Sequence, residues 1–338
     1  MRPNTKLITI VENEKKIREL LNELVLQPRI NAIKWSAITK QTPNIKIGYP
    51  GQHLASLITG MTGERTGARG TDLIDGSEVK SCSRIDQLDI CLDCKSPVAR
   101  HEEKCSNCGS SNISRKNDSK WLFSIRNEDE LNFLLHGVKR VLLVIGDYPS
   151  FDSGNFDTLR FQAYEIWPES PRNSRFAEIL SNYYKKIYLA HKKKNPNKNP
   201  APKNFWPYQY QFYMCNPILT FSCTVSNANT TPTIDISHYV DPKEDRSALP
   251  SVLMPIDILS DNELDLIRKK AKDSELFNMI AQEVKTKVKN VKRTKVLELR
   301  KILIGIDETL RKYLPLRDTD RIATARSKYA RRTYLEET

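Results

Sequence analysis

The chain has no apolar run approaching the roughly 20 residues that a membrane span requires. Its opening, Met1-Arg2-Pro3-Asn4-Thr5-Lys6-Leu7, has no signal-peptide core behind it. These absences argue against a membrane or exported protein and predict a soluble, cytoplasmic one. Acids are in deficit: 41 Asp and Glu stand against 54 Lys and Arg, a formal net charge of +13. A surplus of that size favours a polyanionic partner, although charge speaks to association and not to fold. Apolar residues are 39% of the chain, below the globular average but enough for a core, so a wholly disordered chain is excluded. No internal repeat is present. The length, 338 residues, predicts two domains or one with substantial appendages.

The cysteines are seven, an odd number, and four of them fall in one short stretch, with Cys82, Cys215 and Cys223 apart. Without an export signal, clustered cysteines point to metal before disulfides. The cluster reads Cys91-x2-Cys94-x10-Cys105-x2-Cys108 with Gly109 behind it. A Cys-x2-Cys turn presents two thiolates from one tight bend, and two such turns complete a closed tetrahedral zinc site. With no open coordination position, such a zinc is structural, and it supplies folding energy that a module of this size cannot draw from its own core. The plainer alternative is four unligated thiols in a loop. Lys95, Arg100 and Lys104 inside the module are compatible with phosphate contact or with an ordinary solvated face.

Hydrophobic spacing predicts helices at the start: 10–26, halted by Pro28, then 33–38, then a third from Pro50-Gly51 to Gly60. A polar loop, 62–70, follows. Short strands are expected at 71–74 and 78–82, with Asp75-Gly76 as a turn signal. Beyond the cysteines come a strand at 121–125, a helix at 129–136, and strands at 140–145 and 159–166. A long helix carries Phe176 to Tyr188, and the aromatic stretch 205–225 reads as one or two strands. Three helical runs close the chain, at 263–288, 294–314 and 320–329. Strands mixed with helices predict an α/β fold with a mixed sheet.

The segment Gly70-Thr71-Asp72-Leu73-Ile74-Asp75-Gly76-Ser77-Glu78-Val79-Lys80-Ser81 carries the chemistry. Residues two apart in a strand share a face, so Glu78 and Lys80 project together. Two carboxylates beside a lysine suit Mg²⁺ held against a phosphodiester, with Val79 serving through its carbonyl. A strict two-residue turn would turn Asp72 away from Glu78. A three-residue connection, 75–77, pairs Asp72 with Lys80 and gathers all three groups, so a three-residue or bulged turn is predicted. The alternative is an exposed hairpin with an incidental salt bridge.

Gly70-x-Asp72-Leu73 followed by Glu78-x-Lys80 resembles the PD-(D/E)xK nucleases, with Thr71-Asp72 in place of the Pro-Asp pair. More narrowly, the stretch from Leu54 to Gly60, Arg69 to Leu73, Glu78 to Cys82 and the ribbon behind them resembles the MamI-type restriction endonucleases, over roughly residues 50 to 167. The resemblance implies a bacterial or archaeal Mg²⁺-dependent type II enzyme that cuts both strands of double-stranded DNA, usually as a homodimer. It implies Asp72 and Glu78 as metal ligands and Lys80 as the group assisting the attacking water. The Asp72-to-Glu78 interval is short for the superfamily. The preceding helix offers Gln52 and His53 where an acid is common, leaving Asp75 and Glu64 as reserve ligands.

The expected architecture is therefore a restriction-endonuclease-like mixed-sheet core at 49–226, with a zinc ribbon inserted at 90–112. A helical region, 1–48, precedes it and a mainly helical one, 227–338, follows. Candidate DNA contacts are Arg65 and Arg69 in the polar loop, Arg84 and Gln87 behind the Glu78 strand, and Lys292 and Arg293 in a basic run that also holds Lys285, Lys287, Lys289 and Lys295. The stripe Val296, Leu299, Ile302, Leu303, Ile306 and Leu310 reads as core, with a dimer interface as the other reading. Tyr208, Tyr210, Phe212 and Tyr213 read as strand core. The rival functions are a repair or junction-resolving nuclease with the same site, and a non-catalytic zinc-ribbon DNA binder.

Overall fold

The computed structural model describes residues 1–43, 46–65 and 70–320. Helix α1 (Asn13–Leu21) does not end at Pro28. It passes through a wide turn, Asn22–Leu26, into α2 (Gln27–Thr39). Proline removes one i→i−4 donor and crowds the preceding turn, and a π-type turn just before it relieves both demands. Helix α3 (Gly48–Thr59) closes at Gly60, whose φ of +67° suits a residue without a Cβ.

Strand β1 (Ser77–Ser83) follows, and then the small strands β2 (Asp89–Cys91), β3 (Pro97–Val98) and β4 (Ile113–Ser114) build the cysteine module. Next come β5 (Trp121–Phe123), α4 (Glu128–Asn132), β6 (Arg140–Asp147) and β7 (Leu159–Ile166). After α5 (Ser174–Asn182), α6 (Leu189–Lys194), β8 (Lys203–Phe205) and α7 (Tyr210–Met214), the chain returns as β9 (Ile218–Ser226) and β10 (Thr233–Tyr239). The main sheet has the order β1-β6-β7-β9-β10. β1 runs parallel to β6 with Glu78 opposite Val141 and Lys80 opposite Leu143, and the remaining pairs are antiparallel. The fold is thus mixed α/β, as expected. The continuous apolar run of β6 is buried along its whole length, whereas the edge strand β10 has no buried residue.

Two compact units emerge. The first holds Met1–Asn173, Ala201–Asn204 and Pro217–Pro250, and the second holds Ser174–Pro200, Phe205–Asn216 and the described residues from Ser251 onward. The sequence boundaries at 48 and 226 are drawn differently. The N-terminal helices share a core with the sheet (Ile17, Leu21, Val25 and Leu26 beside Val79, Leu142 and Phe161), and so do not stand as a separate region.

In the second unit, the aromatic stretch expected as strand contains the one-turn helix α7, in which Tyr210, Phe212 and Tyr213 are all buried. A helix buried all round leaves no periodic signature. The expected long C-terminal helices are also broken up, into α8 (Asp261–Lys270), α9 (Asp273–Asn278), α10 (Val296–Ile302) and α11 (Glu308–Arg311). Leu303 leaves the helical path to bridge Ile280, and Ile306 bridges Met254, so β-type pairing replaces a turn of helix. The stripe still packs inward, with Leu299, Leu303, Ile306 and Leu310 buried. The run 320–329 lies outside the described residues apart from Asp320. No helix among the described residues is long and apolar enough to cross a membrane.

Candidate active site and metal centre

Helix α3 lies across one face of β1, so closely that a Cβ on Gly51 would stand 2.1 Å from Ser81 Oγ. That face carries Val79, which is buried in the core, and the alternation of the strand therefore leaves Glu78 and Lys80 on the other face. The expected strand at 71–74 is reduced to Leu73, which bridges Gly63 on one side and Ser77 on the other. Three residues, Ile74, Asp75 and Gly76, separate Leu73 from Ser77. The connection has the expected odd length, shifted by one residue, and continuing its register sets Asp72 beside Glu78 rather than Lys80. Gly76 adopts a φ of +84° there.

Asp72 Oδ2 accepts the Val79 N–H at 2.7 Å, and Oδ1 accepts the Gln52 amide at 2.9 Å. The N–H and C=O of one strand residue point to the same side. The Val79 carbonyl therefore faces the edge that Asp72 occupies. Glu78 Oε1 lies 2.5 Å from the Lys80 ammonium. Burial raises the Glu78 pKa and the nearby Asp72 charge adds to this, while Lys80 opposes it. Cys82, next along the same face, is buried, which pushes its thiol up to about 12 and leaves it a poor nucleophile. A cleft of about 680 Å³ opens on Glu78 and Lys80, lined also by Phe123, Arg126, Asp129 and Glu130.

The reserve ligands do not join this group. Asp75 is buried, bonded to Ser77 Oγ at 2.6 Å and to Arg140 at 2.8 Å, and Arg140 also meets Glu165 at 3.2 Å. That network is structural. Glu64 donates its backbone N–H to the Asp72 carbonyl at 2.9 Å, and its side chain is exposed. Arg65 is exposed in the same loop, whereas Arg69 lies outside the described residues. Arg84 is buried at the end of β1, a poor position for reading DNA. The Gln87 amide lies 3.0 Å from the Lys116 carbonyl and 3.3 Å from the Ser119 amide, engaged within its own unit. Lys292 and Arg293 are exposed on the second unit. Arg126, Asp129 and Glu130 escaped the sequence reading, whereas Gln52, noted there only as standing where an acid is common, donates to Asp72.

In the cysteine module, strand order β3-β2-β4 brings two equivalent bends together. Lys95 N–H returns to Cys91 O at 3.0 Å and Gly109 N–H to Cys105 O at 2.8 Å, with Lys95 and Gly109 both at positive φ. The four sulfurs lie within 4.8 Å of one another, and Cys91–Cys108 and Cys94–Cys105 each stand at 3.6 Å. This set can hold a metal ion. Arg100 is not available to phosphate: it is buried, paired with Asp89 at 2.9 Å, and its guanidinium lies 5.0 Å from the Phe151 ring centre and 5.2 Å from that of Phe156. Asp89 also accepts from Arg115 at 2.9 Å.

Comparison with known proteins points to a family. The family model for the MamI restriction endonuclease matches residues 34–257. A type II restriction enzyme, MamI, from Microbacterium ammoniaphilum is 34% identical over 73 residues, which cover 22% of this chain and 24% of that protein. The chain thus matches about a quarter of that relative's length. No solved structure matches. The match to the family model takes in α3, β1, the cysteine module and the whole main sheet, and on that basis the chain belongs to the MamI restriction endonuclease family.

Proposed function

We propose that the protein is a type II restriction endonuclease, hydrolysing phosphodiesters of double-stranded DNA at a specific sequence with Mg²⁺. The observation that carries this reading is the meeting of Asp72, Glu78 and Lys80 at the edge of β1, in a chain of this family. Two carboxylates and the Val79 carbonyl make the hard oxygen set that Mg²⁺ prefers. The raised Glu78 pKa fits as well, since the ionised carboxyl lacks full compensation and gains from a cation. When bound, the ion polarises the phosphate and lowers the pKa of its water.

The chain's own groups do the rest. Gln52 and the Val79 N–H fix the Asp72 carboxylate. Lys80, in contact with Glu78, holds the attacking water and balances the charge that develops on the phosphate. The exposed cations Arg65, Lys292 and Arg293 contact the DNA backbone. The ribbon holds zinc: a Zn–S distance of about 2.3 Å requires tetrahedral sulfurs about 3.8 Å apart, and the observed 3.6 Å pairs suit that ion. A symmetric recognition site favours a homodimer.

The test is a Mg²⁺-dependent digest of plasmid and phage DNA followed by sequencing of the ends. Discrete fragments are expected. Glu78→Ala and Lys80→Ala should lose about 10²-fold or more in cleavage rate with DNA binding retained. A smear, junction-only cleavage, or full activity in both variants would overturn the reading.

A further inference from the structure

We infer that Arg126 is a phosphate-holding residue of the catalytic cleft, kept in place by Glu130 until DNA enters. The inference rests on the nuclease reading above. Three carboxylates line the cleft, Glu78, Asp129 and Glu130, against two cations, Lys80 and Arg126. Lys80 is committed to Glu78. A phosphodiester entering this cleft therefore meets a net negative surface unless a cation joins it and a second positive group turns toward it. Arg126 is the group placed to do so.

The pairing with Glu130 is a weak one. Arg126 Nη2 lies 2.8 Å from Glu130 Oε1 and Nε 3.0 Å from the same oxygen, with the arginine side chain 64% exposed. An exposed i,i+4 pair of this kind is worth about 0–1 kcal/mol. A phosphate oxygen offers the same guanidinium an equal or better charge-assisted bond. Within this pair, exchange of the Glu130 carboxylate for phosphate therefore costs little. Glu130, for its part, is anchored by the backbone: its N–H donates to the Asn127 side chain at 2.8 Å, and its Oε2 accepts the Arg126 N–H at 2.7 Å. The carboxylate stays at the start of α4 while the long arginine side chain can swing into the cleft. Releasing Arg126 leaves Glu130 still hydrogen-bonded, so the resting pair works as a holder rather than a structural brace.

The test is DNA binding by the full chain with Ca²⁺ in place of Mg²⁺, across a KCl series, for Arg126→Ala, Arg126→Lys and Glu130→Gln. Arg126→Ala should bind several-fold more weakly, with its salt slope reduced by about 0.9, the value of one phosphate contact. Arg126→Lys should recover most of that slope. Glu130→Gln keeps an acceptor for the Arg126 N–H but loses the charge, and should bind DNA more tightly than the unaltered chain. Wild-type affinity and slope in Arg126→Ala, or weakening in Glu130→Gln equal to that in Arg126→Ala, would overturn the inference while leaving the nuclease reading intact. Failure of the unaltered chain to bind or cut DNA would overturn the reading, and this inference with it.

Discussion

The Asp72 carboxylate accepts the backbone N–H of Val79, the residue between Glu78 and Lys80, at 2.7 Å. This bond ties the loop ahead of β1 to the strand's outer edge, on the side away from β6, and fixes which acid stands beside Glu78. Only one further group holds Asp72 by its side chain among the described residues, the amide of Gln52 on α3. The helix that packs the core face of β1 thus also sets the geometry on its edge.

Gln52→Ala should therefore act on the metal and not on DNA. Removing a group that orients a metal-binding carboxylate typically costs 10- to 100-fold in metal affinity or activity. The Mg²⁺ concentration giving half-maximal cleavage should rise by roughly that factor. DNA affinity measured with Ca²⁺ should change little, and thermal stability by no more than about 1 kcal/mol, the worth of one hydrogen bond. Equal losses of stability and activity would mean that Gln52 is only a packing residue.

Glu78 sets a pH dependence whose sign follows from its raised pKa. A carboxyl that holds its proton more tightly in the folded state than in the unfolded one costs stability as pH rises from the ordinary glutamate value through the raised one. A divalent cation binds the ionised form and offsets that cost. The increase in melting temperature produced by Mg²⁺ should then be small below this window and grow as pH rises through it. Glu78→Gln should abolish the growth. A Mg²⁺ effect independent of pH in the unaltered chain would place the cation elsewhere.

Much of the sheet was legible because burial imposes a pattern. Val141 to Ile145 is an unbroken apolar run and Leu159 to Ile166 is bounded by polar turns, and both became strands where expected. Pro28 misled because the relief came from a turn type that leaves no mark on composition. Tyr208 to Tyr213 misled because alternation of bulky residues cannot tell a strand from one buried helical turn. In the site, the Glu78–Lys80 face followed from the period of a strand. The exact register of Asp72 did not, since it depends on Leu73 pairing with Ser77 across Asp75 and Gly76. Arg100 looked like a surface cation until Asp89 and two phenylalanine rings enclosed it, a long-range fact that no local window contains.

Asp75 distinguishes chemistry from architecture. Its carboxylate meets Arg140 in a fully enclosed setting, so Asp75→Ala leaves a buried guanidinium short of a partner, at a cost of about 3 kcal/mol or more. With roughly 2–4 °C per kcal/mol for a chain of this size, the melting temperature should fall by about 6 °C or more. Substrate cleavage per folded molecule, measured well below that temperature, should stay near the unaltered value. Normal stability with cleavage abolished would return Asp75 to the candidate ligands.

The cysteine module should be coupled to the core through its arginines rather than through its metal ligands alone. Asp89 begins the same short strand that ends in Cys91, and it holds Arg100 and Arg115. Arg100 in turn packs on Phe151 and Phe156, in the segment that follows β6. Cys105→Ser removes a ligand from the proposed zinc site, whose metal would supply much of the module's folding energy. Bound zinc, measured by mass spectrometry of the purified chain, should fall from one equivalent to near zero. Amide exchange should then rise at 89–115 and also at 148–156, while β6 and β7 stay protected. Asp89→Asn should keep the zinc and loosen only 148–156. If Cys105→Ser loses zinc yet leaves exchange at 148–156 unchanged, the arginine contacts do not transmit the order of the ribbon, and the module hangs on the core independently of its metal.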